Sequence, residues 1–337
     1  MSSLRGSVLH DAGLETDLEE MAETLRDYVH KGCSLDLTNI RGEPIISEAP
    51  LMSNFTALET FEANDVRFFA VDCSTRTLKR ANNWAIYVCR VSYAVVLKRK
   101  VDWGFQESVK AVKGDAYIRR KMMQEERLQL ESEMGLRLTR QASKDDVILL
   151  DGASYFGGER KFNVMLYEEC ERKRIRLLAL SKQSPMLRDQ KGRDLIAAVC
   201  NLGTENPWVY HPVKKASIHE HLYGDVSIIK LCAESPRAFR CDIMGYLANR
   251  DLQAVLAPLC SISEDPRCLG YPVALWLAHD FSSISETKLL QYHVEVEDVL
   301  RNAGLLNSLQ KEEIACNFAD ELHGARHAFD WERIPNV

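Results

Sequence analysis

Apolar residues fall along this chain in two kinds of run. The first kind is short, unbroken and closed by turn residues. Val147, Ile148, Leu149 and Leu150 run without a polar break into Asp151-Gly152. Such a run predicts a buried strand with Asp151 at its C-terminal end. Phe68, Phe69, Ala70 and Val71 have the same grammar and lead into Asp72-Cys73-Ser74, predicting a second strand that ends in an aspartate. Residues 175–180 predict a third, ending at Ser181-Lys182. The turn Asn82-Asn83 precedes residues 84–91 and 92–98, which predict two further strands. The second kind of run has helical spacing. Ile118, Met122, Met123, Leu130, Met134 and Leu138 mark a long helix over 116–141, with Gly135 as its weak point. A second helix is expected at 162–173.

The predicted order is strand, strand, strand, helix, strand, helix, strand. A meander whose central strands go on into parallel βαβ units is the ribonuclease H-like order, an α/β mixed sheet flanked by helices. Further on, the pattern predicts a helix at 192–199, a hairpin from 226–232 and 239–244, and helices at 251–259, 273–281 and 285–303. Gly270-Tyr271-Pro272 turns the chain into the helix at 273, proline being tolerated in a first helical turn. Near the start, Leu18, Met21, Leu25 and Tyr28 predict a helix over 14–28. No repeat or low-complexity linker divides the chain. The expected organisation is an N-terminal helical extension over 1–60 and one domain over 61–337.

Composition narrows the class. The 337 residues are 46% hydrophobic and 27% charged, ordinary for a globular protein. No apolar run approaches the ~20 residues of a membrane span, and the acidic N-terminus lacks the apolar core of a signal peptide. Ten scattered cysteines without a CxxC pair suggest reduced thiols and a cytoplasmic location. They lack the ligand spacing of a zinc site. His219-Glu220-His221 is expected in a surface loop. A net charge of −6 argues against a generally basic nucleic-acid binder. It leaves room for local basic contacts at Lys98-Arg99-Lys100, Arg119-Arg120-Lys121 and residues 172–176 (RKRIR).

The candidate chemistry lies in acids far apart in sequence. Two strands that each end in an aspartate can aim Asp72 and Asp151 at one point, as a divalent metal site requires; each aspartate can equally start a turn. The long helix offers Glu125, Glu126, Glu131 and Glu133 above the strand ends. Ala278-His279-Asp280 lies within an otherwise apolar segment, where a histidine is either a core residue or a ligand.

In order and spacing, these motifs resemble the NurA nucleases, which process DNA ends with the HerA hexameric ATPase. Ala70 to Ser74 is similar to that family's apolar-Asp-Gly-Ser motif, and Leu149 to Ser154 to its second Asp-Gly motif. Ala179 to Lys182 resembles its Ser-Lys strand end. Gly270-Tyr271-Pro272 through His279 resembles its Gly-Tyr-Pro…Ala-His segment. The likeness covers roughly residues 66–303. Cys73 departs from it by replacing a glycine, and Ala153 by preceding Ser154.

The resemblance implies a ribonuclease H-like homodimer that cuts DNA with manganese, or magnesium, at a two-metal site. Its metal ligands carry over to Asp72, Glu131, Asp151 and His279, with Glu126 as the alternative to Glu131. Lys182 would neutralise phosphate charge near the scissile bond. Partners would be DNA and a HerA-type ATPase, with no membrane, in DNA end resection, 5′-to-3′, in repair or in defence against foreign DNA. Two other readings compete: a non-catalytic ATPase-binding adaptor with a decayed site, and another ribonuclease H-like phosphoryl-transfer enzyme.

Overall fold

A nine-stranded mixed sheet organises the molecule. The structure, a computed structural model, describes residues 45–63, 65–156, 161–184 and 187–327. The helix expected at 14–28 lies outside them. The chain enters as β1 (Ile45–Ser47) and β2 (Phe55–Ala57). A long meander follows: β3 (Phe68–Arg80), β4 (Trp84–Leu97) and β5 (Lys100–Lys113). Helix α1 (Ala116–Leu138) leads to β6 (Val147–Asp151), and α2 (Lys161–Lys173) to β7 (Arg176–Ser181). Next come β8 (Leu187–Asp189), α3 (Leu195–Cys200), β9 (Trp208–Lys214), β10 (Gly224–Lys230) and β11 (Phe239–Met244). Helices α4 (Leu252–Cys260), α5 (Val273–Ser282), α6 (Glu286–Asn302) and α7 (Leu306–His327) close the described chain.

Strands lie in the order β2-β9-β10-β11-β7-β6-β3-β4-β5. β6 runs parallel to both β3 and β7, whereas β3-β4-β5 and β7-β11-β10-β9 pair antiparallel. β6 and β7 are buried on both faces, as their unbroken apolar runs require. This is the ribonuclease H-like architecture expected from the order of elements.

The meander differs from expectation at three points. β3 does not end at Asp72 but continues to Arg80. Its partner β4 runs alongside from Ala85 to Val96 and supplies the pairing that a turn-like Asp-Cys-Ser does not announce. The strands expected at 84–91 and 92–98 are one, because Ser92 stays inside the ladder, opposite Asp72. Tertiary pairing also explains β5, whose outer position leaves it largely exposed and without an apolar run.

The sheet face bearing the odd-numbered β3 residues carries α1, whose Glu126 and Arg137 reach Lys110 and Gln106 of β5. On the opposite face α5 crosses β3 and β4, with Ser92 Oγ donating to the Ala278 carbonyl. Gly135 lets α1 and α2 approach closely: a Cβ there would stand 3.0 Å from Leu166 Cδ2. The main core joins both layers, from Phe68 and Phe69 through Ile148, Leu149 and Leu178 to Leu256 and Leu275.

Candidate active site

Two strands of unequal length create the site. β3 and β6 run parallel, and their last paired residues are Val71 and Leu150. Asp72 and Asp151 are the next residue on each, so their Cα atoms lie about one strand spacing apart, ~5 Å. β6 stops there and β3 continues. The Cys73 N–H, past the end of β6, donates to Glu131 Oε1 of α1 at 3.1 Å. Glu131 thus hangs from the helix over the strand ends and is nearly fully buried.

From the other face, His279 of α5 sets Nδ1 2.7 Å from Asp72 Oδ2. Its side chain is 58% exposed, so it is no core histidine. Ser282, one turn on, donates its hydroxyl to the same Asp72 oxygen at 3.1 Å. Lys182, just past β7, places Nζ 2.7 Å from Asp151 Oδ2. Asp72, Glu131, Asp151, His279 and Lys182 therefore share one neighbourhood. Glu126 does not belong to it; it pairs with Lys110 at 2.5 Å.

Three side chains join this group that the apolar pattern does not reveal. Arg127 lies 4.0 Å from Asp72 Oδ1 and 3.8 Å from Glu131 Oε1, an i, i+4 relation that marks it once Glu131 is chosen. Ser282 is the second. Tyr271 is the third: its buried hydroxyl has no hydrogen-bond partner among the described residues, and its ring lies 6.0 Å from Lys182 Nζ. Two glycines fit the site's flanks to the sheet. Gly152 takes φ +131° straight after Asp151, and Gly270 takes φ +86° before Tyr271, where a Cβ would strike Ser235.

The loop after Asp151 is pinned from β11. Asp242 Oδ2 accepts from Ser154 N at 2.8 Å and from its hydroxyl at 2.9 Å. Asp242 is itself gripped by Arg240 at 2.6 and 2.7 Å. Ser154 thus ties the loop to a buried ion pair.

Three carboxylates at one place repel, and their protonation reflects it. Burial pushes Glu131 up to about 8, with the charges of Asp72 and Asp151 adding to it. Burial likewise raises Asp151, with Lys182 opposing. Burial would raise Asp72 too, but the hydrogen bond from His279 and the charges of Lys182 and Arg127 outweigh it and hold Asp72 below its usual range. Tyr271 is raised by burial and by the same two aspartates.

The donor set suits a hard divalent cation: carboxylate oxygens and one imidazole. Glu131 is raised first by burial and then by the charges of Asp72 and Asp151, and a cation would oppose both. Lys182 and Arg127 supply positive charge in its place. Among the described residues, no three His, Cys, Asp or Glu side chains form a ready-made ion cage.

The other basic clusters are largely structural. Arg119 donates to the carbonyls of Ala81, Asn82 and Gly114, and Arg176 to those of Asp145 and Ala254. Arg172 and Lys173 pair with Glu169. Lys98, Arg99 and Lys100 are exposed at the β4–β5 turn. His219-Glu220-His221 forms an exposed turn with Glu220 paired to Lys214.

No family model and no curated protein matches the chain. Solved structures do. The NurA nuclease from Sulfolobus solfataricus superposes with a TM-score of 0.58 at 16% identity, over 87% of this chain and 98% of that one. A second NurA structure gives 0.54 at 11% identity, over 88% and 97%. One solved with manganese gives 0.51 at 11%, over 85% and 98%. The fold is NurA-like. Among the described residues, no helix is long and apolar enough to cross a membrane.

Proposed function

We propose that this chain is a metal-dependent DNA nuclease. The observation that carries the reading is the meeting of Asp72, Glu131 and Asp151 from three elements, with His279 and Lys182 beside them. Likeness of fold to NurA structures, one of them solved with manganese, supports it.

Asp72, Asp151, Glu131 and His279 would hold manganese or magnesium, as one ion or a pair. Such ions activate water and stabilise a leaving oxygen in phosphodiester hydrolysis. The protein's own groups prepare the place. The hydrogen bond from His279 and the charges of Lys182 and Arg127 hold Asp72 below its usual range, which favours its ionised form. With Nδ1 so engaged, Nε2 is the His279 nitrogen that would meet a cation. Burial holds Glu131 up at about 8, and a bound cation would favour its ionised form. Lys182 and Arg127, which lie against these carboxylates, are the cations placed to meet phosphate oxygens.

The test is cleavage of end-labelled linear DNA with manganese. Asp151→Ala should lower the rate by at least ~100-fold, since loss of groups that merely orient metal ligands already costs 10–100-fold. Equal rates would mean that the site is wrong or the activity a contaminant. Labelled RNA in parallel separates the other ribonuclease H-like enzymes.

The finer reading is a homodimer in the cytoplasm, working with a HerA-type hexameric ATPase in end resection, 5′-to-3′, in repair or defence. Partner or dimer contacts are assigned to residues 1–60 and the nuclease domain to 61–337, to whose sheet β2 of the N-terminal segment adds an edge strand. A chain lacking residues 1–44 keeps β1 and β2; if it still co-purifies with the ATPase, the docking role is removed.

A further inference from the structure

β5 is the outer strand of the sheet, and one of its faces carries aromatic rings where an edge strand would normally carry charge. Trp103 is 49% exposed and Phe105 46%. Their rings lie 6.3 Å apart and within 21° of parallel. Trp103 also stacks on Phe281 of α5, at 4.4 Å and 22°. Arg90 lies 4.4 Å over the Phe105 ring while bonding Glu107 and the Ser283 carbonyl.

This row of rings is continuous with the carboxylate cluster. Phe281 follows His279 by two residues on α5. Phe105 pairs with Ser92, and Ser92 with Asp72, so the three share one row across the sheet and one face of it. Two strand spacings separate the Cα atoms of Phe105 and Asp72, about 10 Å. That is the reach of one or two nucleotides of an extended strand. At the far end, exposed Lys98, Arg99 and Lys100 stand next to β5, three to five residues before Trp103.

We propose that Phe105, Trp103 and Phe281 form a stacking platform for the unpaired bases of a single strand passing to the carboxylates, with Lys98, Arg99 and Lys100 attracting its phosphates. The inference rests on the nuclease reading above and adds where the substrate lies and that it is single-stranded there. Phe281 takes one face of Trp103 and Arg90 one face of Phe105, so each ring can offer a base its other face, whereas a base inside a duplex has both faces covered by its stacked neighbours. The neighbouring cations supply the backbone attraction that an acidic chain otherwise lacks.

The experiment measures binding of the full chain, without metal, to a fluorescent single-stranded oligonucleotide containing 2-aminopurine and to the matching blunt duplex. Trp103→Ala with Phe105→Ala should weaken single-strand binding by about 5- to 100-fold, remove the quenching of 2-aminopurine, and change duplex binding little. Trp103→Tyr should restore most of the loss, which a folding defect would not allow. Unchanged single-strand affinity, or equal losses on strand and duplex, overturns the platform. A shift of the double variant to a smaller oligomer also overturns it, since the face would then be a contact between copies. The wild type and Asp151→Ala are run in the manganese cleavage assay beside these. Wild-type cleavage with an unaffected platform variant rejects the platform alone; no wild-type cleavage and no binding rejects the nuclease reading as well.

Discussion

Glu131 shows how one side chain records its neighbours. Its usual value is 4.5, and burial with two aspartates takes it to about 8. Between those values the unfolded carboxyl is ionised while the folded one keeps its proton. The folded state then binds more protons, so stability falls as pH rises from about 5 to 8. In metal-free protein, Glu131→Gln should flatten this slope and raise stability at pH 8, where the wild-type carboxyl begins to ionise in a buried site. Thermal melts across that range in chelator check both; parallel slopes for the two proteins would refute the assignment. The motif residues Asp72, Asp151 and His279 were legible in the sequence because each interrupts an apolar run. Glu131 was one of four helical acids there, and only its bond to the Cys73 N–H separates it from Glu126 on Lys110.

Elements act on the site through packing. Gly135 lies one turn beyond Glu131 and admits Leu166 of α2. Gly135→Val should force the helices apart, cost about 1–3 kcal/mol by overpacking, and lower cleavage because Glu131 moves with its helix. Urea denaturation and cleavage rates read the two effects. On the other side of the sheet, β11 holds the loop after Asp151. Asp242→Ala would leave the Arg240 guanidinium buried and uncompensated and strip Ser154 of both bonds. The expected loss is about 3–5 kcal/mol, again by urea denaturation. Long helices and buried strands were readable as elements because their periodicity persists over many residues. β5 and β9 were not, since an edge strand or a mixed polar strand acquires its state from the neighbour it pairs with.

For the whole molecule the carboxylate cluster is a cost that a cation would remove. Manganese should therefore raise the melting temperature of the wild type; at 100 times its dissociation constant, binding to the folded state alone contributes about 2.7 kcal/mol. Asp72→Asn combined with Asp151→Asn should abolish the shift, and an equal shift in both proteins would place the ion elsewhere. The parallel strands that carry Asp72 and Asp151, the long helix between them, and with them the ribonuclease H-like class, are legible in the sequence, because hydrophobic period and turn residues are local properties. Which acids meet is not local. It depends on β3 outrunning β6, on α1 and α5 approaching from opposite faces, and on parallel register bringing residues 72 and 151 to neighbouring positions. Side chains up to 210 positions apart make those contacts. Distance along a chain says nothing of distance in space until the sheet has closed, and so the tertiary structure alone decides the charge balance, the partners of Lys182 and the aromatic row beside them.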